Sequence, residues 1–209
     1  MKQAAQDLAA VPLAGAEPAE NLSASERILG AARDLFCSQG IHATGIDRIL
    51  AVASASKMSL YTRFGSKDAL LREVLLREGA DWRAGFFAAV TQGEPDPVAQ
   101  LRRVIPTLAA WFHGGRFHGC AFMNATAEHA MAEPVLRDLA SDHHRQILAF
   151  LEERTRAASF AEPGLVARQV MLIIDGATAA LMVTGDAKVL EISARTLDAV
   201  LEQARASAG

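Results

Sequence analysis

The sequence predicts an all-α protein on the strength of three observations. Ala, Leu, Arg and Glu, which favour helices, are abundant in the 209 residues, and aromatic residues make up only 6%. Apolar residues recur at helical spacing, and no stretch alternates as a half-buried strand does. Capping residues and glycines mark successive helix ends. We predict about nine helices, with a three-helix domain over residues 23–70 and a second helical domain over residues 71–209.

Residues 1–22 precede the first predicted helix. They hold a short Ala-rich apolar run broken by Pro12, with a lone Lys2 near the start. A secretory signal peptide is one interpretation, but the run is weak and interrupted. We expect a disordered N-terminal arm, because little in it could offset the entropy lost on ordering.

The start and stop signals of two helices lie on either side of residues 44–64. Ser23 and Glu26 have the spacing of a capping box, and Gly40 is placed to end that helix as a left-handed C-cap. After residue 64, Gly65 is a stop and Ser66 a new N-cap. These signals predict helices immediately before and after the central segment.

The central segment itself predicts a helix, a tight turn and a second short helix. Thr44 is placed to cap the first helix, and Asp47 to return a hydrogen bond three residues later. Ser54-Ala55 breaks the apolar pattern, and Ser56 can cap the second helix, which we expect to end at Phe64.

The second short helix has an outward face without an acid. Leu60 and Phe64 are its apolar anchors at i, i+4 spacing. The side chains left facing outward or flanking are Lys57, Ser59, Tyr61, Thr62 and Arg63. Such a face suits a helix that enters the major groove of DNA, although an ordinary helical hairpin with a solvated face would give the same short pattern.

Residues 27–75 resemble the DNA-binding domain of the TetR (tetracycline repressor) family of bacterial transcription regulators. The matching segments are I-L-G-A-A-R-D-L-F-C-S-Q-G (28–40), A-T-G-I-D-R-I-L (43–50) and S-K-M-S-L-Y-T-R-F-G-S-K-D-A-L (56–70). The chain departs from the family at the turn, where Ser54 and Ala55 replace the usual Gly and β-branched residue. The rest of the chain is compatible with the family in length and helix count.

The resemblance implies a role for each matched position. Thr44, Tyr61 and Lys67 would hold DNA phosphates. Lys57, Ser59, Thr62 and Arg63 would face bases or flanking phosphates, with Ser56 at the start of the recognition helix. A docked phosphate would also explain why Lys67 stands at a helix N-terminus, where the helix dipole disfavours a cation.

The charge of the chain is unevenly distributed. Residues 25–72 carry seven bases and four acids, for a net charge of +3, whereas the remaining residues carry −6. A basic head on an acidic body orients the molecule toward phosphate. Because the excess is modest, tight binding would need two heads acting together.

The second domain is divided by proline and glycine. Pro97 opens a helix that Pro106 should bend and Gly114 should end. The remaining predicted helices span approximately residues 119–130, 134–157, 163–184 and 189–204.

One group of aromatic and methionine residues in this domain is a candidate effector site. A small, largely apolar molecule would suit their chemistry. The candidate ligand-binding residues are Trp111, Phe112, Phe122, Met123, Asn124, His129, Met171 and Asp175. The alternative for each residue is ordinary helix core.

Neither a cofactor nor a resident metal is expected. His113, His118 and Cys120 could be considered as ligands, but their spacing fits no standard zinc module. The two cysteines favour a reducing compartment, and no apolar run reaches the length of a membrane span. We expect a cytoplasmic protein without a membrane partner.

Residues 171–182, within the predicted helix over residues 163–184, are apolar nearly all round, so this segment must be buried on several sides. By resemblance, the last two helices would pair with their copies in a homodimer, which suits a palindromic operator; a monomer with a central helix is the alternative. The predicted interface residues are Ala177, Ala180, Leu181, Leu197, Val200 and Leu201.

The sequence therefore favours a DNA-binding transcriptional regulator that is not an enzyme. By resemblance, it would be a repressor released from its operator by a small effector. The alternatives are a helical small-molecule-binding protein or enzyme and a structural helical protein with a degenerate head. No catalytic motif such as H-E-x-x-H or a Gly-rich phosphate loop is present.

Overall fold

The structure, a computed structural model, describes residues 22–114, 117–128 and 134–207. His129 and residues 1–21 of the predicted arm lie outside this range. The helices are α1 Ala24–Gln39, α2 Ile46–Ala53, α3 Lys57–Phe64, α4 Lys67–Thr91, α5 Pro97–Arg102, α6 Val104–His113, α7 Ala121–Glu128, α8 Pro134–Ala157, α9 Pro163–Thr184 and α10 Lys188–Ala206.

The all-α prediction is confirmed. Among the described residues, the helices differ in number from the predicted nine because one predicted helix is divided in two. Arg103 alone separates α5 from α6, where a single bent helix was predicted. Pro106 lacks the N–H that would bond to the carbonyl of Arg102, and its ring crowds that carbonyl. The helix therefore breaks three residues before the proline instead of bending at it.

The described residues form two compact units. The head unit comprises residues 22–82, 120–128 and 134–141, and the body unit comprises residues 83–114, 117–119 and 142–207. The expected division after residue 70 therefore differs from this grouping. The head unit includes α7 and the first turns of α8, which are distant from it in sequence.

The core of the head unit joins the first four helices to α7 and α8. Ile28, Ile49 and Leu60 are fully buried in it, and Phe122 of α7 belongs to the same cluster. Each buried side chain of this size stabilises the unit by roughly 1.5–3 kcal/mol. Phe122 is therefore part of the core of the head unit, and its place in an effector site stays a prediction.

In the body unit, α9 and α10 pack against each other and against α6. Leu108, Val170 and Leu197 are among the side chains in this core. By length and composition alone, α9 could cross a membrane. Core helices also pass that test, and buried residues run along α9 from Val166 to Leu181, so α9 alone does not indicate a membrane span.

Four of the predicted dimer residues are wrong. Ala177, Leu181, Leu197 and Leu201 are buried in the core of their own chain, so they present no surface to a second subunit. Ala180 and Val200 are partly buried. An all-round apolar helix does not reveal from its sequence which side faces its own chain.

His143 is a buried titratable group in the body unit. Its Nδ1 accepts a hydrogen bond from Nη1 of Arg83 at 2.7 Å. Burial, followed by the nearby Arg83 guanidinium, lowers the pKa of His143 from 6.5 to about 4. The imidazole is therefore neutral at neutral pH and serves as an acceptor.

Candidate nucleic-acid interface

The candidate interface is built on α3. The Ser56 side chain caps it by accepting the N–H of Ser59 at 3.1 Å, as predicted. Leu60 is buried, and Phe64 packs against the core. These two contacts fix the rotation of the helix, which leaves the face without an acid pointing to solvent.

The exposed residues of that face match the sequence prediction closely. Lys57, Thr62 and Arg63 are exposed, and Tyr61 is 49% exposed. Ser59 is partly buried, and its hydroxyl lies 2.9 Å from that of Ser56. The arrangement presents two cations, a phenol and hydroxyls to a partner, which can donate to phosphates and to base edges.

Met58 is a candidate contact that the sequence prediction missed. It is 79% exposed and lies four residues before Thr62, on the same face of α3. An exposed apolar side chain in a major-groove helix can contact the methyl group of thymine. The sequence signal for this contact is that Met58 directly follows Lys57 and does not share the apolar face of Leu60.

The turn between α2 and α3 holds a residue in an unfavourable backbone conformation. Ser54 has φ 47° and ψ 52°, in the left-handed region, at the position where the related family usually has Gly. Its N–H donates to the carbonyl of Ala51 at 3.4 Å, and the N–H of Ala55 donates to that of Leu50 at 3.1 Å. The turn therefore keeps its geometry without the glycine.

Arg27 supports this turn from α1. Its Nε donates to the carbonyl of Ala53 at 3.0 Å, and its Nη2 donates to that of Ser54 at 3.3 Å. Its Nη1 donates to Leu22 at 2.8 Å. One planar guanidinium thus satisfies carbonyls on two segments, which ties the turn to the start of α1.

The prediction that Thr44 caps α2 is wrong. The N-cap is Gly45, which makes no side-chain hydrogen bond. Thr44 is fully buried, and its hydroxyl donates to the carbonyls of Gly40 at 2.7 Å and Leu35 at 3.3 Å. A buried hydroxyl that is already donated offers nothing to a phosphate, so Thr44 supports the loop instead of forming part of the surface.

Asp47 and Lys57 form an ion pair on the candidate surface. The predicted return bond from Asp47 to a cap is replaced by a contact of 2.8 Å between its Oδ1 and the Lys57 Nζ. The hydrogen bond with Asp47 raises the pKa of the Lys57 ammonium. Lys57 is therefore charged but already has a partner, and the Asp47 carboxylate would compete with DNA for this ammonium.

Lys67 also has a partner within the head unit. Its Nζ donates to the carbonyl of Ile41 at 2.6 Å and lies 5.9 Å from the centroid of the Phe36 ring. This carbonyl accounts for a lysine at the start of α4 without a phosphate. The predicted N-cap is confirmed, since Ser66 accepts the N–H of Ala69 at 3.0 Å.

The candidate effector residues divide between the two units. Trp111 and Phe112 belong to the body unit, where their ring centroids lie 4.8 Å and 5.1 Å from that of Phe117. Met123 and Asn124 belong to the head unit with Phe122.

Met171 and Asp175, both on α9, are the other body-unit candidates. Met171 is buried, and Oδ2 of Asp175 lies 3.1 Å from Nε2 of His144. Neither borders the shallow cavity of about 70 Å³ that lies between the start of α9 and the end of α10, near Leu165 and Gln203. That cavity therefore lends no support to the predicted effector site.

Metal binding finds no support in the described residues. In residues 22–114, 117–128 and 134–207, no three His, Cys, Asp or Glu side chains gather closely enough to hold an ion. Burial raises the pKa of the Cys37 thiol to about 11, so this thiol is not poised to act as a thiolate ligand.

The head unit is thus a helix–turn–helix domain whose second helix is capped, anchored and exposed. Residues 28–74 match the family described as "Bacterial regulatory proteins, tetR family". The crystal structure of a TetR-family transcriptional regulator from Streptomyces coelicolor is 31% identical, with a TM-score of 0.80 over 87% of this chain and 95% of that chain. A TetR-type regulator from Streptomyces avermitilis is 28% identical, with a TM-score of 0.77 over 88% and 99%.

The chain belongs to the TetR family. It is 34% identical over 62 residues to the transcriptional regulator QacR of Staphylococcus aureus, a match that spans 33% of that protein. It is 27% identical over 139 residues to the regulator LmrA of Bacillus subtilis, covering 66% of this chain and 73% of the relative. The protein is a DNA-binding transcriptional regulator.

Proposed function

We propose that this regulator is a homodimeric repressor that binds a palindromic operator and is released by a small, largely apolar effector. The observation that carries the DNA-binding part is the exposed face of α3, which holds two cations and no acid. Two such helices on a two-fold axis would enter major grooves about 34–36 Å apart.

The proposed contacts divide by chemistry. Lys57, Ser59, Thr62 and Arg63 would meet bases or flanking phosphates, and Tyr61 would donate to a phosphate. Lys67 would reach a phosphate with the donor capacity that its bond to a carbonyl leaves free, since an ammonium has three N–H groups.

We propose that the dimer uses the exposed side of α9. Leu172 and Val183 are 71% and 80% exposed, and Gly176 between them is exposed as well. Their spacing of four and seven residues places them on one face of the helix. Small residues there would let a second helix approach closely.

A charged substitution tests this surface. Leu172→Asp should shift the protein to a monomer in sedimentation, because a carboxylate would be buried without a partner. Val135→Asp, at an exposed apolar position in the head unit, is the matched control and should leave the mass unchanged. A stable wild-type monomer at micromolar concentration would contradict the dimer.

The effector can change DNA affinity only by binding one conformation of the dimer better than the other. The rings of Trp111, Phe112 and Phe117 are half-buried in the body unit and are the proposed apolar contacts. Mass spectrometry of small molecules that remain bound through purification, followed by their addition to a DNA titration, tests both parts. A bound molecule that leaves DNA affinity unchanged would argue for a small-molecule-binding protein or enzyme instead.

DNA binding itself is tested with duplexes selected from a random pool by the wild-type protein. Affinity should fall steeply as salt rises, with a log–log slope of about −6 if six to eight phosphates are neutralised by the two heads together. A mixed duplex of the same length that was not selected is the control. Equal binding to both would contradict an operator-specific regulator.

A further inference from the structure

The loop between α1 and α2 is held by a residue from α7. One carboxylate oxygen of Glu128, Oε2, accepts the backbone N–H groups of Ile41 at 2.8 Å and His42 at 2.9 Å. The His42 ring Nε2 donates to the Glu128 main-chain carbonyl at 3.0 Å. A carboxylate that accepts two backbone N–H groups makes strong, charge-assisted hydrogen bonds. These contacts lie within the head unit.

Gly40 makes room for this carboxylate. It has φ +87°, a conformation that other residues rarely adopt, and an added Cβ would stand 3.2 Å from Oε1 of Glu128. The backbone angle therefore calls for glycine at this position, and a Cβ would also crowd the carboxylate. The C-cap of α1 is adapted to a side chain 88 residues further along the chain.

The polar backbone groups of Gly40 and Ile41 are all engaged. The Gly40 N–H donates to the Phe36 carbonyl at 3.1 Å, and the Gly40 carbonyl accepts from the Thr44 hydroxyl. The Ile41 N–H is held by Glu128, and the Ile41 carbonyl accepts the ammonium of Lys67. Glu128 and Lys67 thus hold the two sides of one peptide segment.

This segment leads directly into the candidate DNA interface. Gly45, four residues after Ile41, is the N-cap of α2, and the lysine bonded to the Ile41 carbonyl is the proposed phosphate contact. Without the Glu128 hydrogen bonds to Ile41 and His42, the loop would sample other conformations. The start of α2 and Lys67 would then less often occupy the positions that DNA binding requires.

We propose that Glu128 is a positioning residue for DNA binding, which it supports through the loop without touching DNA. It lies outside the family match at residues 28–74, so the affinity of the head depends on a residue that the helix–turn–helix sequence does not contain. This inference rests on the proposed operator binding. If loss of Glu128 leaves the loop in place for a tenth of the time, the apparent affinity falls about tenfold.

Two substitutions separate reach from charge. Glu128→Asp keeps the charge but withdraws the carboxylate by one methylene, whereas Glu128→Gln keeps the reach and one carbonyl acceptor but loses the charge. We expect Glu128→Asp to weaken binding to a selected duplex by about five- to tenfold and Glu128→Gln by less than threefold. Asp138→Asn, an exposed acid on α8 in the same unit, controls for net charge and should match the wild type.

Affinities are measured well below the melting temperature of each variant, with the folded fraction followed by circular dichroism. If Glu128 only stabilised the fold, its substitution would lower the melting temperature and leave the affinity of the folded protein unchanged. Amide hydrogen exchange supplies a readout that needs no DNA, and the Ile41 and His42 amides should lose protection in Glu128→Asp.

Affinities of both Glu128 variants within twofold of the wild type would overturn the inference. Tighter binding by both variants would also overturn it, since the acid would then act only by repelling phosphate. A wild-type protein without salt-dependent DNA binding would instead refute the proposed function.

Discussion

Replacing Ser54 with glycine should stabilise the head unit. Ser54 has φ 47°, and a non-glycine residue in the left-handed region costs roughly 1–2 kcal/mol. Glycine avoids that cost but loses more backbone entropy on folding, roughly 0.5–1 kcal/mol. The difference predicts a gain of about 0.5–1 kcal/mol in the free energy of unfolding. The Arg27 bond to the Ser54 carbonyl does not involve the side chain, so it is retained.

Denaturant unfolding followed by circular dichroism measures this gain, and thermal unfolding should show a rise of about 1–4 °C for a chain of this length. Ala51→Gly is the matched control, because Ala51 is exposed in the interior of α2, where glycine should cost about 1 kcal/mol. If Ser54→Gly destabilises the protein as much as Ala51→Gly does, the left-handed turn is refuted.

Three further predictions concern the surface and the body unit. Tyr61→Ala should weaken operator binding about tenfold in a salt-controlled titration while the protein stays folded and dimeric, and unchanged affinity would remove its phosphate role. Asp47→Asn should tighten DNA binding by severalfold, because it frees Lys57 and removes a negative charge; a weaker complex would show that the ion pair orients Lys57 productively. Since the pKa of His143 is lowered to about 4, the unfolded state binds its proton first on acidification. The contribution of His143 to the free energy of unfolding should therefore be constant above about pH 6.5. Below that pH it should fall by up to about 1.4 kcal/mol per pH unit toward pH 4. His143→Gln, which retains an acceptor for Arg83, should flatten that fall in denaturant titrations, and an unaltered pH profile would exclude His143 as its source.

The helix boundaries of the head could be predicted because their causes are local. Ser23 with Glu26, Ser56 and Ser66 each cap a helix through atoms at most three residues away. The exposed face of α3 followed in the same way from the spacing of two apolar anchors. Such interactions are visible in any window of the sequence that contains both partners.

The places of other residues could not be predicted, because their partners are distant or ambiguous in sequence. Thr44 could cap a helix or donate to carbonyls at the end of α1, and only the packed loop decides between them. Phe122 completes the head core from a segment that the chain reaches much later. Leu181 and Leu172 both lie on an apolar helix, and the positions of the helices packed against it determine which of them is buried. Glu128 was missed because its partners lie 86 and 87 residues away.

The most direct test of DNA recognition by the head is the salt-dependent affinity of the wild-type protein and Lys57→Ala for one selected duplex. We predict tight wild-type binding that weakens steeply with salt. For Lys57→Ala we predict binding at least tenfold weaker, with a log–log slope less steep by about one to two, since a dimer loses one cation from each head. Wild-type binding without salt dependence, or a Lys57→Ala titration that superimposes on the wild type, would contradict DNA recognition through α3.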